Sequence, residues 1–167
     1  CDFSITLTNI EDYIKAFVAD TGITPIVIID YLQVLNCSSK SSAKESVDEN
    51  VSYLKQMQKN HSLVLIVISS LNRQNYLIPV DMESFKESGG IEYMTDVLWG
   101  LQLQILNDPK FFSIKDIAEK RKMIREEKVK IPRRLELVCL KNRFGNSTYQ
   151  CSFTYYQNMD LFVSCED

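Results

Sequence analysis

The chain has 167 residues, 45% of them hydrophobic and 25% charged, the size and make-up of one globular domain with a sizeable core. Its net charge of −3 hides an asymmetry: 12 of the 19 Lys and Arg residues fall between Asn107 and Arg143 beside 6 acidic ones, so that segment counts 12 − 6 = +6 and the rest −9. An odd set of five cysteines (Cys1, Cys37, Cys139, Cys151, Cys165) without a Cys-x-x-Cys pair argues against a disulfide framework or zinc site, and no window approaches the roughly 20 apolar residues of a membrane span, so a cytoplasmic protein with no membrane partner is expected.

Thr8 followed by Glu11 has the form of a capping box, and Ile10, Tyr13, Ile14, Phe17 and Val18 recur at helical spacing until Gly22 supplies a stop. Thr24 and Pro25 lead into Ile26 to Ile29, four β-branched residues that suit a strand buried on both faces, with Asp30 at its carboxyl end. The serine-rich stretch Cys37 to Lys44 reads as a loop, and Val47, Val51 and Leu54 mark a second helix to about Asn60. Leu63 to Ile68 is a second apolar strand, ending in Ser69 and Ser70. Two helix-then-strand units in succession predict an α/β fold with a mainly parallel sheet flanked by helices.

A polar loop is expected from Asn72 to Gly90, then a third strand from Val97 to Leu106. Ser113 and Asp116 could cap a charged helix reaching Lys130, whose Ile114, Ile117 and Ile124 make a narrow apolar stripe, as for an outer helical insertion at about 107–134. Leu135 to Leu140, Thr148 to Tyr155 and Leu161 to Val163 complete the chain as C-terminal strands, separated by the turn signals Phe144-Gly145-Asn146 and Asn158-Met159-Asp160. The whole of 1–167 is expected to form a single domain. His61 reads as a helix-end residue, and Trp99, Tyr149, Tyr155 and Tyr156 as packing groups.

An acid at the carboxyl end of a parallel strand is placed where α/β sheets bind ligands, and it either holds a metal or begins a turn. Ser69-Ser70-Leu71-Asn72-Arg73 ends the second strand with polar groups suited to sensing a phosphate. Lys141 and Arg143 stand two residues apart at a strand end, so both side chains are expected on one face, as a phosphate clamp or as solvated charges.

Ile26 to Gln33 with its Asp-Tyr-Leu-Gln end, Ser69 to Arg73, Lys86-Glu87-Ser88-Gly89-Gly90-Ile91-Glu92 with Thr95-Asp96-Val97, and Lys141 to Gly145 occur in an order that resembles the hexameric replicative helicases of the DnaB type. The matching part is the later half of their RecA-like motor domain. The resemblance implies a partial RecA-like P-loop NTPase fold with ATP and Mg²⁺ as cofactors. It implies Asp30 as the metal-side (Walker B) acid, Ser69 and Ser70 near the γ-phosphate, and Lys141 and Arg143 as cations acting in the site of a neighbouring subunit. Lys86, Glu87 and Gly89 would face the channel of a homo-oligomeric, hexameric ring and grip single-stranded DNA through its phosphates.

Two departures accompany it: Ser70 stands where the family normally has Gln, and the charged helix is longer than the family's connection. No Gly-x-x-x-x-Gly-Lys-Ser/Thr occurs among the five glycines, and the chain opens at Cys1 with a helix, so it is expected to be a piece of a longer polypeptide and inactive alone. A non-hydrolysing RecA-like oligomerisation or DNA-binding module, or an ATPase of another RecA-like branch, is the alternative.

Overall fold

The computed structural model describes residues 5–35, 42–85 and 89–165, which divide into two units. The first holds the described residues up to Asn72 and those of Phe85–Thr95, and the second holds Arg73–Ser84 and the described residues from Asp96 onward.

In the first unit, helix α1 spans Leu7–Thr21 and strand β1 Ile26–Ile29. The capping box belongs to Thr6 and Asn9 rather than Thr8 and Glu11: the Thr6 side chain accepts the Asn9 N–H at 3.2 Å, and the Asn9 side chain accepts the Thr6 N–H at 3.1 Å. Gly22 closes the helix at φ 69°, a left-handed conformation that glycine adopts without strain. Helix α2 runs Ala43–His61 from a Ser42/Glu45 capping box, so of the expected serine loop Ser42 is the cap and Ala43 and Lys44 are helical, and 37–41 lie outside the described residues. Its Val47, Asn50, Val51, Leu54 and Met57 recur at helical spacing and are all buried.

Strand β2, Val64–Val67, pairs with β1 in parallel in the register Ile26↔Val64 to Ile29↔Val67. The expectation that the strand Ile26 to Ile29 is buried on both faces is not met. Ile26, Ile28, Val64 and Ile66, which share one face by this register, are 64%, 65%, 57% and 46% exposed, because these two strands form a sheet of their own and no described residue of the unit packs over that face. Helix α3, Gly89–Met94, packs on α2, where the Gly90 N–H donates to Asp48 Oδ1 at 2.8 Å and a Cβ on Gly90 would meet that oxygen at 2.5 Å.

The second unit is a four-stranded antiparallel sheet in the order β3-β4-β5-β6, with β3 Val97–Leu103, β4 Arg133–Asn142, β5 Gln150–Tyr156 and β6 Leu161–Ser164. The third strand is shorter than expected, since residues 104–107 turn into a 3₁₀ helix. Ser113 ends the short helix α4, Pro109–Ser113, and Asp116 alone caps α5, Ile117–Val129, by accepting the Ala118 N–H at 2.8 Å. Ile124 packs with Leu106 and Phe111, whereas Ile117 is exposed, so the apolar stripe is narrower still than its sequence suggests.

Two features bind the segment 73–84 to β3. Gly100 leaves room for Val80, whose Cγ1 a Cβ there would meet at 2.5 Å, and the Val80 N–H donates to Gln102 Oε1 at 2.7 Å. Gln102 and Asn107 in turn donate to Glu136 Oε2 at 3.2 and 2.6 Å, so a carboxylate only 3% exposed is held by neutral amides. Among the described residues no helix is long and apolar enough to cross a membrane.

Candidate functional site

Parallel pairing brings two of the sequence-derived clusters to one sheet end. Ile29 faces Val67, the Ile68 N–H donates to the Ile29 carbonyl at 2.9 Å, and the Leu32 N–H donates to the Ile68 carbonyl at 2.8 Å. Asp30 therefore leaves the sheet between two backbone bonds to the strand that delivers Ser69 and Ser70. Its carboxylate is exposed, while Ile29 and Leu32 on either side are buried and anchor the chain.

Two residues to which the sequence assigned no role hold this corner together. Gln33 donates through Nε2 to the Ser69 hydroxyl at 2.8 Å and accepts the Ser70 N–H on Oε1 at 3.2 Å, so one amide cross-links the two strand ends. Buried Asn50 donates to the Leu35 carbonyl at 3.2 Å, fixing the turn that follows Asp30 against α2. Gln33 lay inside the Asp-Tyr-Leu-Gln motif, the one signal that could have singled it out; Asn50 is a polar residue in an otherwise apolar helical stripe.

The donor chemistry fits a hydrated Mg²⁺, which takes one or two protein carboxylates and fills its remaining positions with water and phosphate oxygens. Asp30 supplies one such carboxylate with serine hydroxyls on the adjoining strand end. Among the described residues, no group of three or more His, Cys, Asp and Glu could form an all-protein metal cage.

The two cations lie in the second unit, and different devices hold them. Lys141 is the penultimate residue of β4, opposite Leu98, while Arg143 stands one residue past the strand, in the turn, so strand alternation does not by itself set its direction. The register shifts between Leu98 and Trp99, whose partners are Lys141 and Cys139, which leaves Leu140 as the extra residue of a bulge. Arg143 forms an ion pair with Asp96 at 3.2 Å, and its backbone N–H donates to the Asp96 carbonyl at 2.9 Å. Asn142 pins the turn by accepting the Phe144 N–H at 3.0 Å and donating to the Asn146 carbonyl at 3.1 Å.

Of the third cluster, Lys86 and Glu87 lie outside the described residues, and Gly89 opens α3 beside the docked Gly90. His61 ends α2, where its Nε2 lies 2.8 Å from Glu11 Oε1, and Trp99 donates to the Tyr149 hydroxyl at 3.0 Å. Hydrogen bonds to Glu11 from Tyr53, at 2.5 Å, then from His61 and Lys15, lower its carboxyl from 4.5 to about 2.

Comparison with known proteins gives one consistent answer. The family described as the DnaB-like helicase C terminal domain matches residues 2–164. A "Probable replicative DNA helicase" of Guillardia theta is 28% identical over 117 residues, which are 67% of this chain and 19% of that protein. Among solved structures, one described as an ATPase domain superposes with a TM-score of 0.74 at 19% identity, covering 96% of this chain and 52% of that one. A structure described as a DnaB-like replicative helicase and its interactions with primase gives 0.73, again at 19% identity, covering 96% and 36%. The chain thus spans about half or less of the relatives it matches.

Proposed function

The chain belongs to the DnaB-like helicase C-terminal domain family, and from that membership we propose that it is the later part of an ATP-driven DNA helicase motor acting in replication in the cytoplasm. The two units are parts of one RecA-like domain of a hexameric ring, with the charged helical insertion at about 107–134 on its surface. What supports the reading most is the junction at the parallel strand ends, where Asp30 emerges beside Ser69 and Ser70 under the Gln33 cross-link.

In this reading Asp30 would hold Mg²⁺ through its water shell, and the metal would supply charge neutralisation for the phosphates of ATP. Ser69 and Ser70 face the γ-phosphate. Lys141 and Arg143 reach the ATP site of the neighbouring subunit and stabilise charge that develops during phosphoryl transfer. Lys86, Glu87 and Gly89 grip single-stranded DNA along its backbone, giving hold without sequence preference.

The test is hydrolysis by the full-length polypeptide that carries this segment. Replacing Lys141 or Arg143 by Ala lowers turnover roughly a thousandfold while nucleotide binding changes little; turnover unchanged in both variants would refute the assignment. The 167-residue chain alone has no ATPase activity and binds Mg-ATP no more tightly than about millimolar, since it carries no phosphate-binding loop.

One observation favours a second reading, a RecA-like oligomerisation or DNA-binding module that does not hydrolyse ATP. Ser70 is exposed, and its short hydroxyl replaces the longer glutamine of the family pattern. A full-length polypeptide that assembles and binds DNA without turning over ATP decides for the module.

A further inference from the structure

We propose that Asp96 is a positioning residue for Arg143, fixing the direction in which its guanidinium leaves the β4 end. The inference rests on the reading of Arg143 as a trans-acting cation. An arginine just past a strand end has a long, rotamer-rich side chain and no ladder to orient it. Here it has a two-point hold: its backbone N–H donates to the Asp96 carbonyl at 2.9 Å, and Nη1 lies 3.2 Å from Asp96 Oδ1. Because the guanidinium is planar with its donors in a rigid fork, holding one nitrogen narrows the directions in which the others can point.

The surroundings are built around the same point. The bulge at Leu140 re-aims the strand just before Lys141, and Asn142 closes the turn by bonding to both Phe144 and Asn146. The Arg143 and Asp96 side chains are 49% and 27% exposed, so solvent screens the pair and it adds little to stability. What it supplies is orientation, and without neutralising the cation as a buried pair would.

Three variants of the full-length polypeptide test this, with ATP turnover, KM for ATP and thermal melting measured on each. Asp96→Ala lowers kcat roughly tenfold or more, as misplacement of a transition-state group does, while KM stays within about twofold and the melting temperature moves by no more than a few degrees. Asp96→Asn, which keeps an Oδ1 acceptor, restores kcat to within about threefold of the parent.

Arg143→Ala separates the trans-acting role of the cation from its positioning by Asp96. If it turns over normally, the trans-cation reading fails and this inference falls with it. If Arg143→Ala is inactive but Asp96→Ala matches the parent, the reading stands and the positioning role is wrong. Asp96→Ala and Asp96→Asn falling together, or a loss expressed in KM or in melting temperature, likewise overturns it, because a bare charge or a structural prop would behave that way.

Discussion

The two sheets of this chain solve opposite problems. The parallel pair β1 and β2 in the first unit is apolar throughout, yet one of its faces is open to solvent, and its polar residues gather at one end around Asp30, Ser69 and Gln33. The antiparallel sheet of the second unit is less apolar in sequence but places polar groups inside, with Gln102 and Glu136 both buried and bonded. Hydrophobicity therefore does not rank these strands by burial. In the first sheet the apolar residues of one face stay open to solvent, and in the second the interior Gln102 and Glu136 are tolerated because they bond to each other and to their neighbours.

Stability measurements can break or sharpen that contrast, with Trp99, the chain's single tryptophan, reporting the second unit by fluorescence and far-UV dichroism reporting helices in both. The largest effect is expected from Phe111→Ala, which empties the Leu106–Phe111–Ile124 cluster and costs about 3–5 kcal/mol in a urea titration followed at Trp99. Next is Glu136→Leu, which leaves the Gln102 and Asn107 amides without their acceptor and costs about 1–3 kcal/mol; a neutral result would mean that water or another group takes over. Ser42→Ala removes the α2 cap and costs about 1 kcal/mol, read from the loss of helical far-UV dichroism in the same titration. The smallest change is Ile28→Thr on the open face, within about 0.5 kcal/mol; a loss of several would show that face to be covered in solution.

Acid adds an independent probe of the first unit. The Glu11 carboxyl sits at about 2 when folded against 4.5 unperturbed, so its contribution is complete above pH 4.5 and is lost as pH falls toward 2. The first unit should weaken through that window, and Glu11→Gln should flatten the decline. An unchanged slope in the variant would assign the acid sensitivity elsewhere.

Sequence patterns located the elements better than their surroundings. Gly22, Asp116 and the β-branched runs are local signals, and each ended or formed the element it announced. The first cap slipped to Thr6 because Thr6-x-x-Asn9 and Thr8-x-x-Glu11 are near-equivalent patterns two residues apart, and only the side-chain bonds distinguish them. Burial of β1 was misjudged because composition says what a strand could bury, not what packs on it.

At the candidate site, the strand-end positions of Asp30, Ser69 and Ser70 were legible from the apolar runs before them. The contacts of Gln33, Asn50 and Asp96 were not, since each bonds to a partner 36, 15 or 47 residues away that only the folded chain brings near. The bulge at Leu140 was equally invisible, and with it the separate handling of Lys141 and Arg143.

Buried Glu136 also bears on how the second sheet finds its alignment. Its neighbours Leu135, Leu137 and Val138 would pack acceptably against Leu101 and Leu103 in several shifted pairings, for aliphatic side chains are nearly interchangeable. The carboxylate is not interchangeable: a two-residue slip of β4 along β3 keeps it on the inner face but takes it away from Gln102 and Asn107, leaving it buried without donors. Glu136 thereby acts as a proofreading device, rejecting misaligned sheets that the apolar residues alone would accept.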